Sequence, residues 1–327
     1  GPYRGIGIGG SGFPSGAGFR QRPDIPTYSS AVVRINEDGS VAVLSGAADT
    51  GQGSDTLLLQ IAAEELGANP EEVNFVRADT DVTPADLGSY ASRETVFAGN
   101  AVKGAAAEVK KQLLPVAAEE LEANPADLVA SGGFIYVRGT PERRVAFSKV
   151  AKKAIDSNKG RPVVGQGAYD PPDKMNYATY TFGAQVAEVE IEPDTGRVKV
   201  VQLTGAHDGG TAINPMAVEG QLEGSMHMAL GFALTEELVW GDGSPLNPSL
   251  AYYAVPGPLE MPRTELVRVD SWDPEGPFGA KEAGEGTIGP TAPAISNAIF
   301  DAAGIRLKSL PMTAEKVLKA LEDKASG

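Results

Sequence analysis

A chain of 327 residues, 42% hydrophobic and 22% charged, has the composition of a soluble globular protein long enough for about two domains. Its net charge of −15 repels phosphate backbones and anionic lipid headgroups, which argues against a nucleic-acid or membrane-surface partner. With no cysteine and only two histidines, His207 and His227, the chain can hold no disulfide, thiolate zinc site or iron–sulfur cluster, so any metal must arrive already ligated by a cofactor.

No apolar run reaches the ~18 residues of a membrane-spanning helix and the chain opens without a secretory pattern, so a cytoplasmic location is expected. Residues 1–29 read as a Gly-rich N-terminal segment. In it Gly5, Gly7 and Gly10 match G-x-G-x-x-G, but no strand precedes the motif, no amphipathic helix follows, and no acidic residue closes a βαβ unit, so a dinucleotide fold is rejected. Arg20 and Arg22 beside Phe19 suit a planar anionic ligand.

From Ser30 the pattern is β: Val32, Val33 and Ile35, the turn Asp38-Gly39, then Val41, Val43 and Leu44, a strong hairpin signal. The loop Thr50-Gly51-Gln52-Gly53 leads to a helix over about Thr56–Leu66, with Ser54 or Asp55 as its cap. Free N–H groups and the helix dipole at such a junction favour anions such as phosphate. Gln52, between two glycines, is expected to be free to reach a ligand; a solvated loop glutamine is the plainer reading. A strand over Val73–Arg77 follows, then the polar segment Ser89-Tyr90-Ala91-Ser92 and a long helix over about Val96–Leu121. Phe134–Val137 reads as a strand, Phe147–Ile155 as a helix, and residues 158–180, with Pro162, Pro171 and Pro172, as a connector.

The opening theme then returns. Val186, Val189 and Ile191 lead through a turn at Asp194-Thr195-Gly196 to Val198, Val200 and Val201, with Val198 157 residues after Val41. Asn214-Pro215 enter a helix over about Met216–Leu230 that carries Gln221, a bare face of Gly220, Gly224 and Gly231, and a His227 read as a packed core histidine. Strands over Leu234–Trp240 and Glu265–Val269 and helices over Pro293–Ala303 and Thr313–Leu321 complete an α+β chain of two related hairpin, Gly-loop and helix units. The expected division is a segment 1–29, a first subdomain 30–160 and a second 161–327.

Gly276-Pro277-Phe278-Gly279-Ala280-Lys281-Glu282-Ala283-Gly284-Glu285-Gly286 is the stretch on which chemistry is expected. Four glycines shape a loop that presents Glu282 and Glu285 among residues too small to cover or hydrogen-bond them. A carboxylate in a poorly hydrated loop is pushed up in pKa and can act as a general base; a surface turn with solvated acids is the bland alternative. For Glu285, burial is expected to outweigh the opposing effect of the helix start that follows.

Gly51-Gln52-Gly53, Ser89 to Gly99, Gly220-Gln221-Leu222-Glu223-Gly224 and Lys281-Glu282-Ala283-Gly284-Glu285 follow one another in an order and rough spacing that resemble the C-terminal half of the molybdenum subunit of the xanthine dehydrogenase/aldehyde oxidase family, over nearly the whole chain. The resemblance implies a molybdopterin-binding fold, with Thr50, Gly51, Gln52, Gly53 and Gln221 at the pterin and with Ser89, Tyr90, Ala91 and Ser92 gripping phosphates and pterin. It implies Glu285 as the base that deprotonates a molybdenum-bound hydroxyl while hydride leaves the substrate. The implied cofactor is molybdenum–molybdopterin in its cytosine dinucleotide form.

The family's usual subunit is more than twice as long, and its first-half Phe-Gly loop, glutamine and arginine have no counterpart here. The chain is therefore similar to the medium subunit of nicotinate dehydrogenase, which implies a larger molybdenum subunit, a two-iron, two-sulfur subunit and an FAD subunit as partners, and Phe19, Arg20 and Arg22 at the substrate pocket. The Glu285 loop is also similar to that of 4-hydroxybenzoyl-CoA reductase. Reductive dehydroxylation thus stands beside hydroxylation of an N-heterocycle or aldehyde, with a non-catalytic scaffold of the same complex and an unrelated NAD-binding oxidoreductase as further alternatives.

Overall fold

The computed structural model describes residues 1–16, 27–171 and 179–326; Phe19, Arg20 and Arg22 lie outside the described residues. The chain opens with β1 (Tyr3–Ser15), the hairpin β2 (Ser29–Ile35) and β3 (Val41–Ser45), helix α1 (Ser54–Leu66), β4 (Val73–Arg77) and the long helix α2 (Phe97–Glu120). A small antiparallel sheet, β5 (Leu128–Ser131), β6 (Phe134–Val137) and β7 (Thr140–Ala146), precedes α3 (Phe147–Ser157) and β8 (Val164–Tyr169). The second half contains β9 (Thr179–Ile191), β10 (Val198–Asp208), α4 (Pro215–Leu234), the two-residue strands β11 (Trp240–Gly241) and β12 (Ser244–Pro245), β13 (Arg263–Arg268), α5 (Thr291–Ala303) and α6 (Ala314–Ser326). No helix among the described residues is long and apolar enough to cross a membrane.

The internal repeat expected from the two hairpins is present as topology. One sheet runs β4-β3-β2-β8 and the other β13-β10-β9-β1, each with one parallel pair, β3/β4 and β10/β13, and two antiparallel ones. Alternation turns Ala31, Val33 and Ile35 of β2 inward onto α1 and α2, and Ala187, Val189 and Ile191 of β9 inward onto α4 and α5, so each sheet has its own core.

The outer strand of each sheet is where the structure departs from expectation. Residues 3–15 form a full strand paired with β9, and β8 crosses the expected connector to pair with β2. Residues 1–29 therefore do not stand apart, and the first sheet extends past residue 160. The glycines supply the reason. A Cβ on Gly5 or Gly7 would collide with the backbone of Ala298 in α5, and one on Gly165 or Gly167 with the backbone of Ala105 or Ala101 in α2. Glycine at every second strand position clears one face so that a helix rests directly on the strand. This spacing, not a phosphate loop, explains the Gly5/Gly7 motif.

Two smaller departures concern helix ends. No strand runs over Leu234–Trp240, because α4 continues to Leu234 and only Trp240–Gly241 pair further on. Helix α1 is capped by Gly53 in the left-handed region at φ 85°, and neither Ser54 nor Asp55 serves.

Gly7→Ala should destabilise the protein by about 1–3 kcal/mol in denaturant unfolding, because neither α5 nor the strand can yield without repacking. Gly10→Ala, whose added carbon finds its nearest neighbour, the Gly183 carbonyl, at 3.7 Å, should stay within about 0.5 kcal/mol of wild type.

Candidate cofactor and active site

A cavity of about 650 Å³ opens between the two sheets' helices. Its wall comes from the loop after β3, the segment leading into α2, the first half of α4 and the loop that carries Glu282 and Glu285. Ser54, Thr95 and Ala217 on this wall lie at or beside the starts of α1, α2 and α4. Three helix N-termini turn their positive dipole ends toward one cavity, a setting for anionic groups.

The loop after β3 is folded on its own polar groups. Asp49 accepts the amides of Gly51 at 2.7 Å, Asp55 at 3.3 Å and Gly53 at 3.4 Å. Burial alone would raise its carboxyl, but these N–H donors and the charge of Arg77 outweigh that and hold it below the usual carboxylate range. Against expectation, Gln52 is not free. Its Oε1 accepts from the Thr50 amide and hydroxyl, and its Nε2 donates to the Ala48 carbonyl and the Ser54 hydroxyl, each at 3.1 Å.

The segment before α2 hangs on Arg93, which is fully buried. Its guanidinium donates to Asp86 at 3.0 Å and to the carbonyls of Thr27 and Tyr28 at 2.9 Å, and lies 4.6 Å from the Phe97 ring centroid. So anchored, Ala91 and Ser92 occupy the left-handed region at φ 51° and 50°, two successive non-glycine residues whose strain the surrounding bonds sustain. Next to Arg93, Glu94 lines the cavity at 8% exposure. Its Oε1 accepts from Ser89, and its buried Oε2 has no partner among the described residues.

The carboxylate loop is stitched to both halves of the molecule. Its backbone pairs with the turn after β10, Lys281 N–H to Gly209 O at 2.8 Å and Thr211 N–H to Gly279 O at 3.0 Å. Asn100 of α2 donates to the Glu275 carbonyl at 2.7 Å, and Lys103 lies 4.3 Å from the Phe278 ring. Lys281, buried, donates to Asp208 at 2.8 Å. Glu285 differs from expectation: it is exposed on the cavity wall, and α5 begins only at Thr291. The buried carboxylate is Glu282, at 1% exposure, covered and hydrogen-bonded after all. Ser92 joins the two motifs, donating to Glu285 Oε2 at 3.0 Å and accepting from the Glu285 amide at 2.9 Å.

Of the residues expected at a cofactor, Thr50, Gln52, Gly53, Ser89, Tyr90 and Ser92 line the cavity, as do Gln221 and Glu285 across it. Gly51 and Ala91 do not, and act through backbone shape instead. Of the two glutamines on the cavity wall, Gln221 is the one whose side-chain amide has no partner among the described residues. The histidines exchange roles: His207 is the buried one, bonded to the Glu282 carbonyl at 3.0 Å, while His227 is half-exposed. Sequence reasoning passed over Glu94 and Arg93; a charged pair embedded in the small-residue run before a helix was the available signal.

Residues 1–262 match the molybdopterin cofactor-binding domain. The chain belongs to this family, in its xanthine dehydrogenase form. The molybdopterin-binding domain is 34% identical over 297 residues to the 6-hydroxypseudooxynicotine dehydrogenase complex subunit gamma of Paenarthrobacter nicotinovorans, covering 89% of this chain and 37% of that protein. It is 36% identical over 307 residues to the probable hypoxanthine oxidase XdhD of Escherichia coli K12, covering 92% and 31%. Quinoline 2-oxidoreductase from Pseudomonas putida 86 superposes with a TM-score of 0.89 at 30% identity, over 99% of this chain and 42% of the other. The chain thus spans about a third of the length of these curated relatives.

The residues present fit a molybdopterin. The volume lies in the range of cofactor pockets, Gly224 on α4 has open space where a side chain would stand, and Gln221 and Glu94 hold uncommitted polar atoms.

Burial first, then the charge of Asp86, pushes the Glu94 carboxyl up to about 7. Folding therefore takes up a proton between the unfolded value near 4.5 and about 7, and stability present at low pH is lost as pH rises through that window. Glu94→Gln should show no such loss, gaining on the order of 3 kcal/mol over wild type between pH 4.5 and 8 in unfolding measurements.

Proposed function

We propose that this domain forms, with the remainder of its enzyme, the active site of a molybdenum hydroxylase that oxidises an aromatic N-heterocycle or an aldehyde with Glu285 as general base. One observation carries the reading: the Glu285 carboxylate, tied to Ser92, stands on the cavity wall that Gln52 and Gln221 also line. Relatives named for quinoline, hypoxanthine and 6-hydroxypseudooxynicotine support the heterocycle.

When bound, the molybdenum cofactor supplies the redox centre that accepts two electrons from the substrate and the point from which a water-derived oxygen is delivered. The chain's residues hold and orient. The starts of α1, α2 and α4 take the phosphates of a cytosine dinucleotide form. Gln221 offers its uncommitted amide to the pterin edge, and Gln52 reaches the pterin by exchanging its bond to Ala48. Ser92 holds Glu285 Oε2, which leaves Oε1 to receive the proton.

A relative named as one subunit of a complex supports assembly with further subunits; the partners that belong to this reading are a larger molybdenum subunit, a two-iron, two-sulfur subunit and an FAD subunit. In the assembled enzyme, Glu285→Gln should lower kcat about 10²–10⁴-fold while molybdenum and pterin contents stay at wild-type levels. Full turnover in that variant would reduce the domain to a cofactor-holding scaffold.

A further inference from the structure

Glu282 lies beneath Glu285, not beside it. Its Oε2 accepts the amide of Gly284 at 2.6 Å and that of Gly286 at 3.4 Å, the second of which belongs to the peptide group directly after Glu285 and the first to the one before Gly284. Its Oε1 accepts the hydroxyl of Thr181 on β9, so the carboxylate ties the loop to the sheet floor. Its carbonyl is in turn fixed by buried His207. Gly286 has no room for a side chain, because a Cβ there would collide with Glu282 Oε1.

These bonds determine where residue 285 points. Gly284 sits at φ −103°, ψ −100°, a conformation that a free glycine leaves readily. The buried carboxylate pins the peptide plane after Glu285 and the one entering Gly284, and the Ser92 hydroxyl pins the plane between them through the Glu285 amide, which together set the direction of the Glu285 Cα–Cβ bond. Ser92 then fixes both the Glu285 amide and its carboxylate tip. Every partner of the Glu282 side chain among the hydrogen bonds described is a donor of its own chain, and at 1% exposure it has no surface for a substrate.

We infer that Glu282 is the positioning residue of this site, setting the aim of the Glu285 carboxylate through the Gly284 and Gly286 amides. The inference rests on Glu285 being the base. A base displaced by about an ångström loses much of its effect while substrate binding is untouched, so the signature is a loss in kcat at constant KM.

The test compares Glu282→Met, which keeps the volume and removes both acceptors, with Glu282→Gln in the assembled, cofactor-loaded enzyme. Glutamine can still accept both amides on Oε1 and donate Nε2 to Thr181, whose hydrogen turns to the Phe13 carbonyl already 3.4 Å away. The methionine variant should lose kcat tenfold or more, with KM and molybdenum content unchanged and with faster hydrogen exchange in the 283–287 peptide. The glutamine variant should recover most of the kcat and the exchange protection. In a Glu285→Gln background, Glu282→Met should cost nothing further. Should the methionine variant not fold, Thr181→Val, which removes one donor from Glu282, should give a smaller loss of the same kind. Wild-type kcat in Glu282→Met, or equal impairment in Glu282→Gln with 283–287 still protected, overturns the inference. Unimpaired turnover in Glu285→Gln overturns the base assignment instead, and the exchange data then still report whether Glu282 holds the loop.

Discussion

Direct contact between helix backbone and strand backbone is the constraint on which this molecule is built. Helix α5 rests on β1 over Gly5, Gly7 and Gly9, and α2 rests on β8 over Gly165 and Gly167, with alanines at Ala298, Ala101 and Ala105 as the facing residues. With no side chain between the layers, neither helix can slide or roll without a steric clash. The consequence is felt at the helix ends. The start of α2 carries Ser89 to Thr95, and the start of α5 follows the Glu285 loop, so two rigid packings bring residues 193 positions apart within one hydrogen bond, Ser92 to Glu285.

Around that junction the interior changes character. The two cores are apolar, but between them lie buried Arg93 with Asp86, buried Lys281 with half-buried Asp208, and buried Glu282 with Thr181 and His207. Such groups are costly to desolvate and contribute little net stability compared with a packed hydrocarbon. What they supply is direction: each fixes a loop that hydrophobic contact alone would leave mobile.

The repeat, the hairpins and all but the ends of the six helices were legible because their residues carry period-2 and period-3.6 apolar signals, as Val41 and Val198 do in matching turns. Strands β1 and β8 were not, because alternate positions hold glycine, which has no β-forming side chain to register; only the spacing of Gly5, Gly7 and Gly9 betrayed them. At the site, Gln221 and Glu285, singled out by the order of motifs, both stand on the cavity wall. Which carboxylate is buried was not readable, since Glu282 and Glu285 have similar neighbours in sequence and are separated by what lies under the loop, Thr181 on a strand a hundred residues away. Gln52 misled for the opposite reason: its partners are local, but backbone turns bring them close.

The order of the edge strands has a topological corollary. The strand completing the second sheet, β1, comes before the first sheet in the chain, and β8 comes after the helices it supports. The first repeat is consequently inserted whole between β1 and the rest of the second, and no single cut yields two whole halves: a fragment starting at Thr179 would expose the alanine face of α5 to water. Any gene that carried the second repeat alone would need to bring the codons of Tyr3–Ser15 with it.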